Sequence, residues 1–117
     1  MTDSTIQIRP AIVDDIDDVV RLRRQMFEDM GYRDEQVLTA SDDACREYFR
    51  RTIPSGVYRG WLATTDDGHA VASSGLVIDF HPPGPNNPGG RIGYIMNLAT
   101  EPGYRRQGLA RRIFGEM

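Results

Sequence analysis

The period of the apolar positions changes several times along this chain. Ile6-Gln7-Ile8-Arg9-Pro10 alternates apolar and polar residues and predicts a short half-buried strand ended by proline. Beyond it the spacing becomes helical. Ile16, Val19, Val20, Met26, Phe27 and Met30 fall on one stripe, Asp14 and Asp15 open the helix where its dipole favours acids, and Gly31 closes it at C′. Arg21, Arg23 and Arg24 lie mostly off that stripe. After a polar connection, Ser41 is the expected N-cap of a second helix, with Asp42 and Asp43 in its first turn and Cys45, Tyr48 and Phe49 as its apolar face. Pro54-Ser55-Gly56 ends that helix.

Strands are expected from Val57 to Thr64 and from Ala70 to Phe80, joined by a turn at Asp66-Asp67-Gly68. Gly75, inside the second of them, marks a bulge or a close backbone approach. Residues His81 to Gly90 are too rich in proline and glycine for helix or central strand and form a surface loop. A fourth strand runs from Gly93 to Thr100. A last helix starts at Gly108 and runs to Met117, with Leu109, Ile113 and Phe114 on one side. The order β-α-α-β-β-β-α, without repeats or an internal boundary, predicts a single α/β or α+β layered domain.

Composition narrows the classes. At 117 residues, 39% hydrophobic and 26% charged, the chain is long enough for a buried core, and its net charge of −3 speaks against general nucleic-acid binding. All 14 basic residues are arginine, so neither a lysine Schiff base nor a lysine general base is available. Cys45 is the single cysteine, which forbids an internal disulfide and, beside Tyr48 and Phe49, reads as a buried thiol. Met1 leads into Thr-Asp-Ser-Thr rather than a signal sequence, and no apolar run reaches membrane-spanning length, so the expectation is a cytoplasmic protein with no membrane partner.

The chemistry concentrates in Asn97-Leu98-Ala99-Thr100-Glu101-Pro102-Gly103-Tyr104-Arg105-Arg106-Gln107-Gly108-Leu109-Ala110. An apolar strand stops at a Pro-Gly turn, a basic loop follows, and a helix begins. Backbone N–H groups gathered at a positive helix end suit a phosphate or pyrophosphate. Gly108 has no Cβ and lets the backbone approach one closely; Ala110 leaves similar room. Arg105, Arg106 and Arg111 offer charge-assisted contacts.

These residues resemble the GNAT superfamily of acyl-CoA-dependent N-acetyltransferases. The family's (Gln/Arg)-x-x-Gly-x-(Gly/Ala) phosphate motif is matched by Arg105-Arg106-Gln107-Gly108-Leu109-Ala110, its Leu-x-Val-x-Pro strand end by Leu98-Ala99-Thr100-Glu101-Pro102, and its opening segment by Arg9-Pro10-Ala11 and Asp15. The resemblance implies a mixed, mostly antiparallel sheet flanked by helices and acetyl-CoA as co-substrate, with no metal. It implies that Leu98 and Thr100 present main-chain groups to the pantetheine arm, and that Arg105, Arg106, Gln107, Gly108, Leu109, Ala110 and Arg111 surround the pyrophosphate. A neutral amine then attacks the thioester directly, helped by a base or a water relay.

The base itself is not fixed by the resemblance. Some relatives carry a glutamate six residues before the position of Thr100; Tyr94 stands there in this chain. Asn97 is the polar residue nearest the reaction centre and is a candidate for substrate or water contact, though its amide does not titrate. His81, near Asp79, is a further candidate base or, with Asp79, a two-ligand metal site; His69 falls in a turn. Acceptor choice in the family often comes from the connection between the first two helices, about Phe27 to Ala40 in this chain, with Phe27 and Tyr32 as candidate contacts; the loop from His81 to Gly90 forms the other rim. The acceptor class is a small-molecule or peptide amine.

Complete members of the family continue beyond the last helix with another strand, a helix and two more strands. The expectation is therefore an N-terminal and cofactor-loop portion whose fourth strand carries an open edge, with Ile113 and Phe114 short of packing partners. A homodimer in which two copies complete each other's sheets is an alternative, as is a non-catalytic CoA-binding or protein-interaction module with the same fold.

Overall fold

A computed structural model of the chain describes residues 5–116. Its strands are β1 (Gln7–Pro10), β2 (Tyr58–Thr64), β3 (Ala70–Phe80) and β4 (Arg91–Thr100); its helices are α1 (Ile16–Asp29), α2 (Glu35–Ser55) and α3 (Leu109–Glu116). The element order is the one the periodicity predicts. The strands form one sheet in the order β1-β2-β3-β4, every described neighbour antiparallel. β4 is thus an edge strand among the described residues.

The strand period of two sends alternate residues to opposite faces, and each face has its own apolar cluster. Leu62, Tyr58 and Ala70 meet Ile16, Val19, Val20 and Leu22 of α1 and Phe49 of α2 on one face. Ala63, Val71 and Ala72 meet Leu109 and Ile113 of α3 on the other. Ile113 is fully buried, contrary to the expectation that it lacks partners, because α3 folds back across β1, β2 and β3; Phe114 points away and is exposed. On α1 the buried stripe includes Leu22, while Met30 at the helix end is exposed rather than buried.

Two boundaries differ from expectation. The second helix begins at Glu35, not after Ser41. Asp34 is its N-cap, its carboxylate accepting from the N–H groups of Gln36 (3.0 Å) and Val37 (3.3 Å), and Leu38 buries in the roughly two added turns. Ser41 lies inside the helix. The fourth strand begins at Arg91, because the loop before it is closed: His81 N–H donates to the Gly90 carbonyl (2.6 Å), and the Asn87 side-chain amide to the Arg91 carbonyl (2.8 Å).

Arg9 and Asp15 anchor the start of α1. The two guanidinium ends of Arg9 donate to both carboxylate oxygens of Asp15 at 2.7 and 2.8 Å, and the Ile12 N–H donates to the same carboxylate at 2.8 Å. The hydrogen bonds from Arg9, assisted by that of Ile12 and opposed by burial, hold the Asp15 carboxyl below the usual carboxylate range. A depressed folded-state value means stability that is present above the unfolded value, about 3.9, and lost as pH falls through the folded one. Asp15→Asn is expected to cost about 2 kcal/mol at pH 7 and to flatten the acid limb of the stability curve below about pH 4. Urea unfolding at pH 7 and pH 3 checks this; an unchanged acid limb refutes it.

Candidate functional site

A one-residue irregularity in β4 organises the site. Ser73 of β3 faces Ala99 and Gly75 faces Met96, so Asn97 and Leu98 together oppose Ser74, as in a β-bulge. Asn97 takes a left-handed φ of 58°, which asparagine tolerates better than most residues. Its side chain turns inward and is buried. The amide donates to the Tyr58 hydroxyl at 2.7 Å, and its oxygen accepts from Arg23. The Asn97 backbone carbonyl accepts from the Ser73 hydroxyl at 3.0 Å. Gly75 sits on β3 beside the bulge and makes the close approach expected of it: a Cβ there would lie 2.0 Å from the Tyr58 hydroxyl oxygen. Burial, opposed by the Asn97 hydrogen bond, pushes the Tyr58 phenol up to about 12, so it stays neutral.

After β4 the chain makes a short 3₁₀ turn, Pro102–Tyr104, and enters α3. Arg106 and Gly108 both have positive φ, 65° and 75°. Space beside Gly108 is open, with nothing within 4 Å of a built Cβ. Arg112 N–H donates to the Gly108 carbonyl at 3.0 Å, so by helix geometry the amides of Leu109, Ala110 and Arg111 precede the first intrahelical bond and lack such a partner. A depression of about 330 Å³ opens there, bordered by Thr100, Arg105, Arg106, Gly108 and Arg111. A second, of about 410 Å³, shares Thr100, Arg105 and Ala110 with it and lies between the outer part of α1 and Leu98, Ala99 and Thr100.

The basic residues of this loop divide in use. Arg105 is committed: its Nε donates to the Thr100 carbonyl at 2.9 Å and its guanidinium pairs with Asp29 of α1, tying the loop to β4 and to the helix layer. Arg106 and Arg111 are exposed. Gln107 donates to the Gly103 carbonyl at 3.3 Å. Glu101, at the turn, accepts from Arg21 and faces His69 Nε2 at 2.9 Å.

A further cavity of about 320 Å³ lies between α1, α2 and β4; Arg23, Ser41, Cys45, Tyr48, Met96 and Asn97 are among its walls. Val77 and Met96 pack against the helix-side core. Tyr94, opposite Val77 and two residues from Met96, shares that side of β4 by the strand period. Its hydroxyl lies 3.0 Å from His81 Nε2, and Asp79 lies 3.5 Å from the same nitrogen. The pairing of Tyr94 with His81 was not visible in the sequence, because it needs the register of the β3–β4 hairpin. Phe27 and Tyr32 stack edge to face at 5.6 Å at the end of α1. Among the described residues no group of three or more His, Cys, Asp or Glu is placed to hold a metal ion, and no described helix is long and apolar enough to cross a membrane.

Residues 17–116 match the family model described as the acetyltransferase (GNAT) family. No curated protein matches the chain in sequence. Among solved structures, a GCN5-related N-acetyltransferase from Ralstonia eutropha JMP134 aligns with a TM-score of 0.83 and 32% identity over 96% of this chain and 72% of its own. A predicted acetyltransferase from Clostridium acetobutylicum, determined with acetyl-CoA, aligns with a TM-score of 0.83 and 26% identity over 96% of this chain and 70% of its own. An aminoglycoside 6′-N-acetyltransferase from Acinetobacter baumannii shares the fold, with a TM-score of 0.70 and 19% identity over 96% of this chain and 68% of its own.

Proposed function

The chain belongs to the acetyltransferase (GNAT) family, and we propose that it transfers the acetyl group of acetyl-CoA directly to a primary amine of a small molecule or peptide. One observation carries this reading. The helix-start amides of residues 109–111 and a glycine with open space beside it border one depression, and the edge strand β4 borders a second that shares Thr100, Arg105 and Ala110 with it. Unpaired amides at a helix N-terminus favour a phosphate, and open strand groups favour an extended polar arm.

In this reading the amides of Leu109, Ala110 and Arg111, with the side chains of Arg106 and Arg111, hold the pyrophosphate. Gln107 and Arg105 shape the loop that presents them, since both already bind main-chain carbonyls. Leu98 and Thr100 offer main-chain groups along β4. The Thr100 carbonyl already accepts from Arg105, so any group it offers the arm is shared with that bond. Phe27 and Tyr32 form the rim toward the acceptor.

Acetyl-CoA supplies the thioester: the amine nitrogen bonds to its carbonyl carbon, the carbon–sulfur bond breaks, and the thiolate leaves and takes up a proton. The proton lost by the amine needs an acceptor beside β4. Tyr94 and His81 form a hydrogen-bonded pair there, and we assign proton removal to that pair. Asn97 holds the bulge and lines the cavity between α1, α2 and β4, with its side-chain amide engaged by Tyr58 and Arg23.

Calorimetric titration of the chain with acetyl-CoA tests the reading; a folded chain that does not bind it refutes the loop assignment. For the proton-transfer pair, Tyr94→Phe and His81→Ala are each expected to lower kcat by about 10²-fold with the KM for acetyl-CoA unchanged. Thiol release followed with an amine acceptor reads this, and kcat values within twofold of the parent remove the pair from the mechanism.

A further inference from the structure

The three half-buried arginines in the middle of α1 are treated differently by the fold. Arg21 pairs with Glu101 and Asp18, and Arg24 with Glu35, Asp42 and Glu28. Arg23, between them, has no carboxylate partner among the described residues. Its guanidinium donates to the Asn97 side-chain oxygen, lies 4.8 Å from the centre of the Phe27 ring, and leaves a buried Nε with no hydrogen-bond partner. Arg23 is half-buried, yet the one side-chain acceptor it has is neutral, which leaves its charge open to a carboxylate. The remaining anion is therefore expected from outside the chain.

The cavity that Arg23 lines shows what kind of molecule brings it. Among the described residues no carboxylate borders this cavity; beside Arg23 and Asn97 it is lined by Ala44, Cys45, Tyr48, Phe49 and Met96, with Ser41. Asn97 holds the guanidinium in place and is followed directly by Leu98, whose main chain is assigned above to the reacting arm. A group on Arg23 is thus held next to the bulge of β4. Resting on the acetyltransferase reading, we infer that the acceptor amine also carries a carboxylate, which pairs with Arg23, and an apolar substituent, which fills the rest of the cavity. An α-amino acid with an apolar side chain has this chemistry. A guanidinium binds a planar carboxylate through parallel hydrogen bonds, and an ammonium does not reproduce that geometry.

The test reads binding, so it does not depend on turnover. The full chain is titrated with N-acetylphenylalanine and with N-acetylphenethylamine, which lacks only the carboxylate. The acid is expected to bind about tenfold or more tighter, the scale of hydrogen bonds to a charged group. In Arg23→Gln that preference is expected to vanish, and in Arg23→Lys to fall to an intermediate value. Circular dichroism and an acetyl-CoA titration on each variant show that the fold and the pyrophosphate loop are intact. Equal binding of the two ligands by the parent chain, no binding of either, or a preference that survives Arg23→Gln would each overturn the inference. Failure of the parent chain to bind acetyl-CoA is a separate result and counts against the acetyltransferase reading instead.

Discussion

Gly108→Glu is expected to weaken acetyl-CoA binding at least a hundredfold while leaving the fold in place. Gly108 sits at φ 75° with no atom within 4 Å of a built Cβ, so a side chain there meets no protein and enters the space assigned to the pyrophosphate. The glutamate brings bulk and a negative charge against a polyanion. Displacing the phosphates from two of the free amides at the start of α3 removes two hydrogen bonds to a charged group, about 3 kcal/mol or more, which is a hundredfold or more in affinity. The left-handed backbone costs an L-residue a further 1–2 kcal/mol or so of stability, not enough to unfold a domain of ordinary stability. Gly108→Ala carries that strain without the charge and separates the two contributions. Calorimetry with acetyl-CoA decides: affinity retained in a folded Gly108→Glu protein would move the pyrophosphate away from this loop.

Gly75→Ala is expected to be the most destabilising single methyl in the sheet. The new Cβ would lie 2.0 Å from the Tyr58 oxygen and 2.3 Å from its Cζ, distances no real contact reaches. Tyr58 has nowhere to go. Its ring is buried and packed 4.8 Å from Phe49 and 6.3 Å from Tyr48, and its hydroxyl accepts from Asn97. Moving the ring breaks that hydrogen bond, leaves the Asn97 amide unsatisfied and loosens the bulge that positions Leu98. Overpacking and a lost buried partner together amount to about 3–5 kcal/mol, a large share of the stability of a small domain. Denaturant unfolding measures this directly, and a loss below about 1 kcal/mol would show that the Tyr58–Asn97–Arg23 chain is softer than its geometry.

Gly75 acts through the bulge of β4 and Gly108 through the loop that follows that strand, and legibility from sequence ends between the two. The left-handed glycine and the helix start that follows it could be read from the residues, because Arg105 to Ala110 state both locally. The strand and helix order was equally local, carried by periods of two and of about three to four. Misreadings came where a competing signal was also local. Ser41 followed by two aspartates looks like an N-cap, but Asp34 caps about two turns earlier and the buried Leu38 settles the choice. Ile113 looked unpartnered because its neighbours Val71 and Ala72 lie some forty residues away in the chain.

By itself, then, the sequence determined the elements, their order, the family resemblance and the loop at the start of α3. All of these are written in contiguous residues and in backbone preferences that act over one or two turns. Only the tertiary structure decided that Asn97 turns inward at a bulge, that Tyr94 meets His81, that Arg105 is tied to Asp29, and that Arg23 alone among its helix neighbours is left without a carboxylate. Each of these depends on sheet register or on the docking of α1 against β4, where a shift of one residue would send every side chain to the opposite face.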